Sequence, residues 1–129
     1  MKHAGRRTLT EAETRLMHVL WRLEQGSVSE VVEALNADEP TLAFNTVQTT
    51  LRVLEQKGFV RHQAVKRTFV YTPRVSRAQA QESAIEWLVE RFFDGTVGRL
   101  AVNLFEKQQL KEDDLAQIET LIRNARNRR

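Results

Sequence analysis

The sequence predicts a mainly α-helical chain with one small β-hairpin, and three observations point there. Apolar residues recur at helical spacing in six stretches, two of these open on a capping box, and between the third and fourth the pattern changes to β-branched and aromatic residues. The chain has 129 residues, of which 41% are hydrophobic. That suits one globular unit, or one small domain with an appended element.

Thr10 followed by Glu13 is the first capping box, with Leu9 placed to staple onto the first turn. Behind it Ala12, Leu16, Val19, Leu20 and Leu23 share one face. Met17 and Trp21 form a second apolar strip, so this helix is expected to be covered on two sides, and Gly26 is expected to end it. Ser27 and Glu30 open the second helix, which buries Val28, Val31, Val32 and Leu35 and turns Glu30 and Glu33 outward. Asn36 to Pro40 reads as a loop, since Pro40 disfavours helix at Glu39.

A third helix runs from Phe44 or Asn45 to Lys57, with Val47, Leu51 and Leu54 inward and Gly58 at a left-handed C-cap. Its outer face holds Asn45, Thr49, Arg52 and Gln56, with Thr46 and Gln48 on the flanks. A merely solvated face would carry Glu and Lys, which favour helix more than Asn or Thr. Phe59, Val60 and Val65, then Thr68 to Thr72, form a hairpin whose tip is Lys66 and Arg67, and Pro73 stops it. Three more helices follow. They run from Ser76 to about Phe93, closed by Asp94 and Gly95, from Thr96 to about Lys107, and from about Lys111 to Arg126.

Charge divides along the chain. Against a total of +3, residues 1–74 hold 11 basic and 8 acidic side chains, and residues 75–129 hold nine of each. Within 41–74 six basic residues face the single acid Glu55, the footprint of a phosphate-binding face. With no cysteine there is no disulfide framework, thiolate zinc site or Cys nucleophile, as suits a reducing cytosol. No stretch approaches the roughly 18 apolar residues of a membrane span, and the opening MKHAGRRTLTEAE lacks the apolar segment of a secretory signal. The expectation is a soluble, cytoplasmic protein that does not insert in a membrane.

Three helices and a basic hairpin in this order describe a winged helix-turn-helix, whose third helix lies in the major groove while the hairpin rests on the backbone. The outer face of the third helix suits that role. Amides pair bidentately with adenine, Arg pairs with guanine, and Thr offers a hydroxyl and a methyl. Asn45, Thr46, Gln48, Thr49 and Arg52 are therefore the candidate base readers. Arg61, Lys66 and Arg67 are the candidate phosphate contacts, which position without carrying sequence information. Trp21 and Tyr71 are read as core or interface residues. His3, His18 and His62 are scattered and lack ligand spacing, and no catalytic triad, phosphate-cradling loop or carboxylate pair is apparent, so neither catalysis, metal nor cofactor is expected.

The division expected is 1–74 as a winged-helix DNA-binding domain and 75–129 as a helical dimerisation domain. The latter carries more apolar surface than so short a unit can hide. Trp87, Leu88, Phe92, Leu100, Leu104, Leu115, Ile118, Leu121 and Ile122 are the candidate pairing residues, and a C2 homodimer would present two reading helices to an inverted repeat. Folding of these helices back onto the winged domain is the competing arrangement. The competing function is a winged-helix protein-interaction module without DNA contact. The Asn, Thr and Gln on the third helix argue against it, since interface centres favour aromatic and aliphatic anchors.

The strings LTEAETRLMHVLW, VSEVVEAL, NTVQTTLRVLEQKGFV and VYTPRVSRAQA together resemble the penicillinase-repressor family, the BlaI/MecI group of bacterial transcriptional regulators. The resemblance spans nearly the whole chain. Its most specific parts are Leu20-Trp21, the run Thr46, Val47 and Thr49, Lys57-Gly58, and Tyr71 with Pro73. It implies a homodimeric repressor bound to a double-stranded operator with inverted repeats, as in control of β-lactam resistance genes. In some members a membrane sensor-protease system leads to cleavage after an Asn in the dimerisation domain, and the segment LAVNLFEKQQL places that bond here at Asn103–Leu104. Cleaved members carry Phe after the Asn, whereas this chain has Leu104 and then Phe105. Val53 and Gln48 stand where relatives carry basic residues, so a different operator sequence is implied. The cysteine-rich metal site of the copper-responsive branch has no counterpart here.

Overall fold

The computed structural model describes residues 8–37 and 42–129. Among these, the elements follow as α1 (Glu11–Leu23), β1 (Gly26–Ser27), α2 (Val28–Leu35), α3 (Phe44–Lys57), β2 (Val60–Val65), β3 (Thr68–Pro73), α4 (Arg77–Phe92), α5 (Val97–Lys107) and α6 (Glu112–Asn127). They fall into two compact units, Met1–Leu88 and Val89–Arg129, and most of α4 belongs to the first.

Both expected capping boxes form. The Glu13 N–H donates to Thr10 Oγ1 at 3.1 Å while the Thr10 N–H donates to Glu13 Oε1 at 2.9 Å. Ser27 and Glu30 repeat the exchange at 3.2 and 2.8 Å. Ser76 and Gln79 make a third such pair at the start of α4. Each satisfies two N–H groups that a helix start leaves without an internal partner. Gly58 takes the expected left-handed conformation, with φ 90°, and its N–H donates to the carbonyls of Leu54 and Glu55. The end of α1 differs from expectation. The reversal is made at Glu24, with φ 75°, and Gly26 is instead drawn into a strand. The loop expected over Asn36–Pro40 begins as a turn at Asn36 and Ala37, and from Asp38 to Pro40 it lies outside the described residues.

The inward rows converge on one core. Leu16, Met17 and Leu20 of α1, Val31 and Leu35 of α2, and Val47, Leu51 and Leu54 of α3 pack with Phe59, Val60, Tyr71 and Val75. Each fully buried aliphatic side chain contributes roughly 1.5–3 kcal/mol by leaving water. Leu9 and Trp21 pack against this cluster, and the Trp21 indole N–H donates to the Val75 carbonyl at 2.9 Å, fixing the approach to α4. Lys57 Nζ reaches Glu13 Oε1 at 2.8 Å, so the end of α3 is tied to the first turn of α1.

The antiparallel sheet has the order β1-β3-β2. Gly26 and Ser27 pair with Tyr71 and Val70, while β2 pairs with β3 from Val60–Pro73 at the base to Val65–Thr68 at the tip. The third strand, β1, has no signal in the sequence. It is two residues long and exists because the chain between two helices runs beside β3.

The second unit is built differently. Its first turn closes where the Gly95 N–H donates to the Val89 carbonyl at 3.0 Å, with Asp94 and Gly95 both at positive φ. No residue of α5 or α6 is buried, and neither helix has a side-chain N-cap. Among the described residues no helix is long and apolar enough to cross a membrane.

Candidate nucleic-acid interface

With Val47, Leu51 and Leu54 locked into the core, the opposite face of α3 is obliged to face outward. Asn45, Thr46, Thr49 and Arg52 are exposed there and Gln48 is half-buried. Thr50, on the flank, turns its hydroxyl back to the Thr46 carbonyl at 2.7 Å and offers less to a ligand.

The wing stands beside this face. Lys66 and Arg67 occupy the two central positions of a two-residue turn with φ 50° and 70°. That left-handed pair is the backbone of a type I′ turn, which Asn-Gly would adopt without strain. For a Lys and an Arg it costs about 1–3 kcal/mol each. Strand alternation sends His62, Ala64, Phe69 and Tyr71 to one face of the wing and Arg61 to the other.

A cavity of about 410 Å³ lies between α3 and the wing. Gln48 and Arg52 line it from α3, Arg67, Thr68 and Phe69 from the wing, and Ser27 and Ser29 from the start of α2. The fold thus gathers Gln48 and Arg52 with Arg67, which is distant from them in sequence, into one concave wall with no acid in it among the described residues. Asn45, Thr46 and Thr49 lie on the exposed helix face outside that cavity, and Arg61 lies on the far side of the wing.

Three neighbours of this wall were not anticipated. Glu55, one turn beyond Arg52, accepts from His62 Nδ1 at 2.8 Å instead of pairing with Arg52. The His62 ring stacks on Phe69 with centroids 4.3 Å apart, and Phe69 keeps half its surface exposed toward the cavity. Tyr71 is buried as expected. Burial first, and then the Glu55 carboxylate, raise its hydroxyl above the usual tyrosine range, and Arg52 opposes them. The alternation of His62 with Tyr71 and Phe69 on a hairpin could have signalled a shared face; the partner of His62 on α3 could not.

The candidate pairing and cleavage residues fall as follows. Trp87, Leu88, Leu100, Leu115 and Ile118 are half-buried, while Phe92, Leu104, Leu121 and Ile122 are exposed. Asn103 and Leu104 lie inside α5, and Asn103 lines an open cleft of about 570 Å³ with Phe93 and Val102.

A family model described as "Penicillinase repressor" matches residues 9–124. The chain is 28% identical over 121 residues to the penicillinase repressor of Bacillus licheniformis, covering 94% of both chains. It is 25% identical over 114 residues to an uncharacterised 16.5 kDa protein of Latilactobacillus sakei, covering 88% of this chain and 77% of that one. Among solved structures, the DNA-binding domain of the repressor BlaI is 32% identical, covers 55% of this chain and 85% of its own, and superposes with a TM-score of 0.49. Monomeric Bacillus licheniformis BlaI in complex with the blaP half-operator is also 32% identical, covers 56% and 87%, and has a TM-score of 0.48.

Proposed function

This chain belongs to the penicillinase repressor family, and on that premise we propose that it is a homodimeric, sequence-specific repressor that binds inverted-repeat operators in the cytoplasm. The observation that carries the reading is the wall formed by Gln48, Arg52 and Arg67, which sets base-reading groups and a phosphate-binding cation on one concave surface. Asn45, Thr46, Gln48, Thr49 and Arg52 read bases, and Lys66 and Arg67 hold phosphates. Arg61, on the other face of the wing, reaches a phosphate on the far flank. The winged part, 1–74, reads the duplex, and the helical part, 75–129, pairs two copies through the apolar residues that α5 and α6 leave uncovered, Leu104, Leu121 and Ile122 among them.

Release by a membrane sensor-protease system acts at Asn103–Leu104 in this reading. The bond sits within the hydrogen-bonded turns of α5, so a protease reaches it only after local unwinding. The uncapped start of α5 and its lack of buried residues make that opening inexpensive. The regulated genes include those of β-lactam resistance.

Two substitutions separate the roles. Arg67→Ala should weaken binding to every duplex alike and lower the log–log salt slope by about 0.9, one phosphate's worth. Gln48→Ala should change which base is preferred at one operator position, by roughly 1–3 kcal/mol. Both are read by titrating the full chain onto operator and single-base variants at several salt concentrations. Equal loss on all duplexes for both variants would show that reader and positioner were wrongly assigned.

A further inference from the structure

We propose that His62 and Glu55 are positioning residues that fix the wing against α3, so that phosphate grip at the wing tip and base reading on the helix act as one unit; the inference rests on the DNA-binding reading above.

The wing needs such a tie. β1 reaches only Val70 and Tyr71, so from Ala64 to Phe69 the wing is a two-stranded ribbon without a third strand. Ribbons of that kind are marginal by themselves. This one also ends in two non-glycine residues at positive φ, a conformation that persists only where its surroundings over-determine it. His62 supplies a constraint from both sides. Its Nδ1 lies 2.8 Å from each carboxylate oxygen of Glu55 on α3, and its ring stacks on Phe69 at 4.3 Å and an interplanar angle of 27°, with Tyr71 at 5.6 Å. A polar contact to the helix and an aromatic contact to the strand nearest the tip therefore meet in one ring.

The placement gives the tie its consequence. Glu55 stands three residues beyond Arg52, and Phe69 stands two beyond Arg67, so the tie joins the immediate neighbours of a base reader and of a phosphate contact. Glu55 is turned to His62, and Arg52, exposed on the outer face of α3, makes no ion pair among the described residues. Loss of the tie leaves both cations in place and removes their fixed separation. Arg67 can then hold a phosphate without holding Arg52 in register.

Two measurements on the full chain test this. In the free protein, His62→Ala should accelerate amide hydrogen exchange at Gln63 and Val65 by about tenfold or more while leaving Leu51 and Leu54 unchanged. Unchanged exchange in the wing overturns the proposal whether or not DNA is bound. On operator duplex, a cycle of His62→Ala, Arg67→Ala and the double variant should be non-additive, the loss from Arg67→Ala shrinking by about fivefold in the His62→Ala background. His62→Gln, which keeps the hydrogen bond to Glu55 without the stack, should restore part of the coupling. Strict additivity overturns the proposal. Faster wing exchange in a chain that binds no duplex would instead sustain the tie and sink the DNA-binding reading.

Discussion

The two units spend similar side chains on opposite ends. In the first, leucines and valines from three helices and a sheet are fully buried in one core, and helix starts at Thr10, Ser27 and Ser76 carry reciprocal caps. In the second, only Val89 is buried among the large apolar residues, while Val97 is 63% exposed and Val102 and Leu121 are each 58% exposed. Charge does not follow the same division: the excess of basic residues lies within 1–74, and residues 1–88 carry +2 against +1 for residues 89–129. The difference teaches that the first unit closes a core with its own sequence, whereas the second leaves most of its large apolar side chains exposed.

The sharpest way to break that contrast is to truncate one leucine in each unit. Leu51→Ala should cost the first unit about 2–5 kcal/mol at any protein concentration, because it opens a cavity in a closed core. Leu121→Ala should cost little in the isolated chain and, under the proposed pairing, should raise the concentration at which two copies dissociate. Denaturant melts at two concentrations, with sedimentation of the same samples, distinguish the cases. A concentration-independent loss for Leu121→Ala would mean that its surface is covered within one chain.

A smaller effect concerns the tie between α1 and α3. Burial pushes the Glu13 carboxyl up, but the hydrogen bond and charge of Lys57, with the Thr10 N–H, outweigh it and hold the group below its usual value near 4.5. A carboxyl with a lowered folded pKa stabilises the fold above its unfolded pKa, and that contribution disappears as pH falls through the folded value. Glu13→Gln should therefore cost about 1–3 kcal/mol at pH 7, and the variant and parent curves should converge as pH falls through the lowered folded value. Parallel curves down to acid pH would show that Lys57 does not stabilise the ionised form.

The smallest effect is a gain in the other unit. Lys111 occupies the N-cap position of α6 without a side-chain hydrogen bond, and Glu112, Asp113 and Asp114 follow it. Lys111→Ser should add about 0.5–1 kcal/mol to the stability of α6, seen as slower amide exchange in its first turn. The same exchange in both chains would mean that the backbone there does not admit a cap.

Most of the fold was legible because its signals are local. A capping box needs residues three apart, and the inward row of α3 is visible at spacings of three and four. Gly58 ends that helix because its φ of 90° suits a residue without Cβ. The outer face of α3 followed from the inner one, so five candidate readers could be named before any coordinates. What escaped were pairings across distance. β1 depends on β3, the Lys57 partner Glu13 is 44 residues away, and His62 meets Glu55 only because the hairpin folds back along the helix. Gly26 misled because a glycine marks a reversal equally well whether it caps the helix or lies just beyond the turn.

Helix periodicity, caps and turn chemistry thus established by local rules which elements form and which faces they bury, since neighbours along the chain share a backbone that carries the geometry. The separation between Arg52 and Arg67, the release of Arg52 from Glu55, and the bare apolar faces of α5 and α6 arise from contacts made or not made in three dimensions. Those depend on which surfaces meet after loops of tens of residues have closed, and the cost of such closure varies so slowly with length that spacing alone does not reveal the partner.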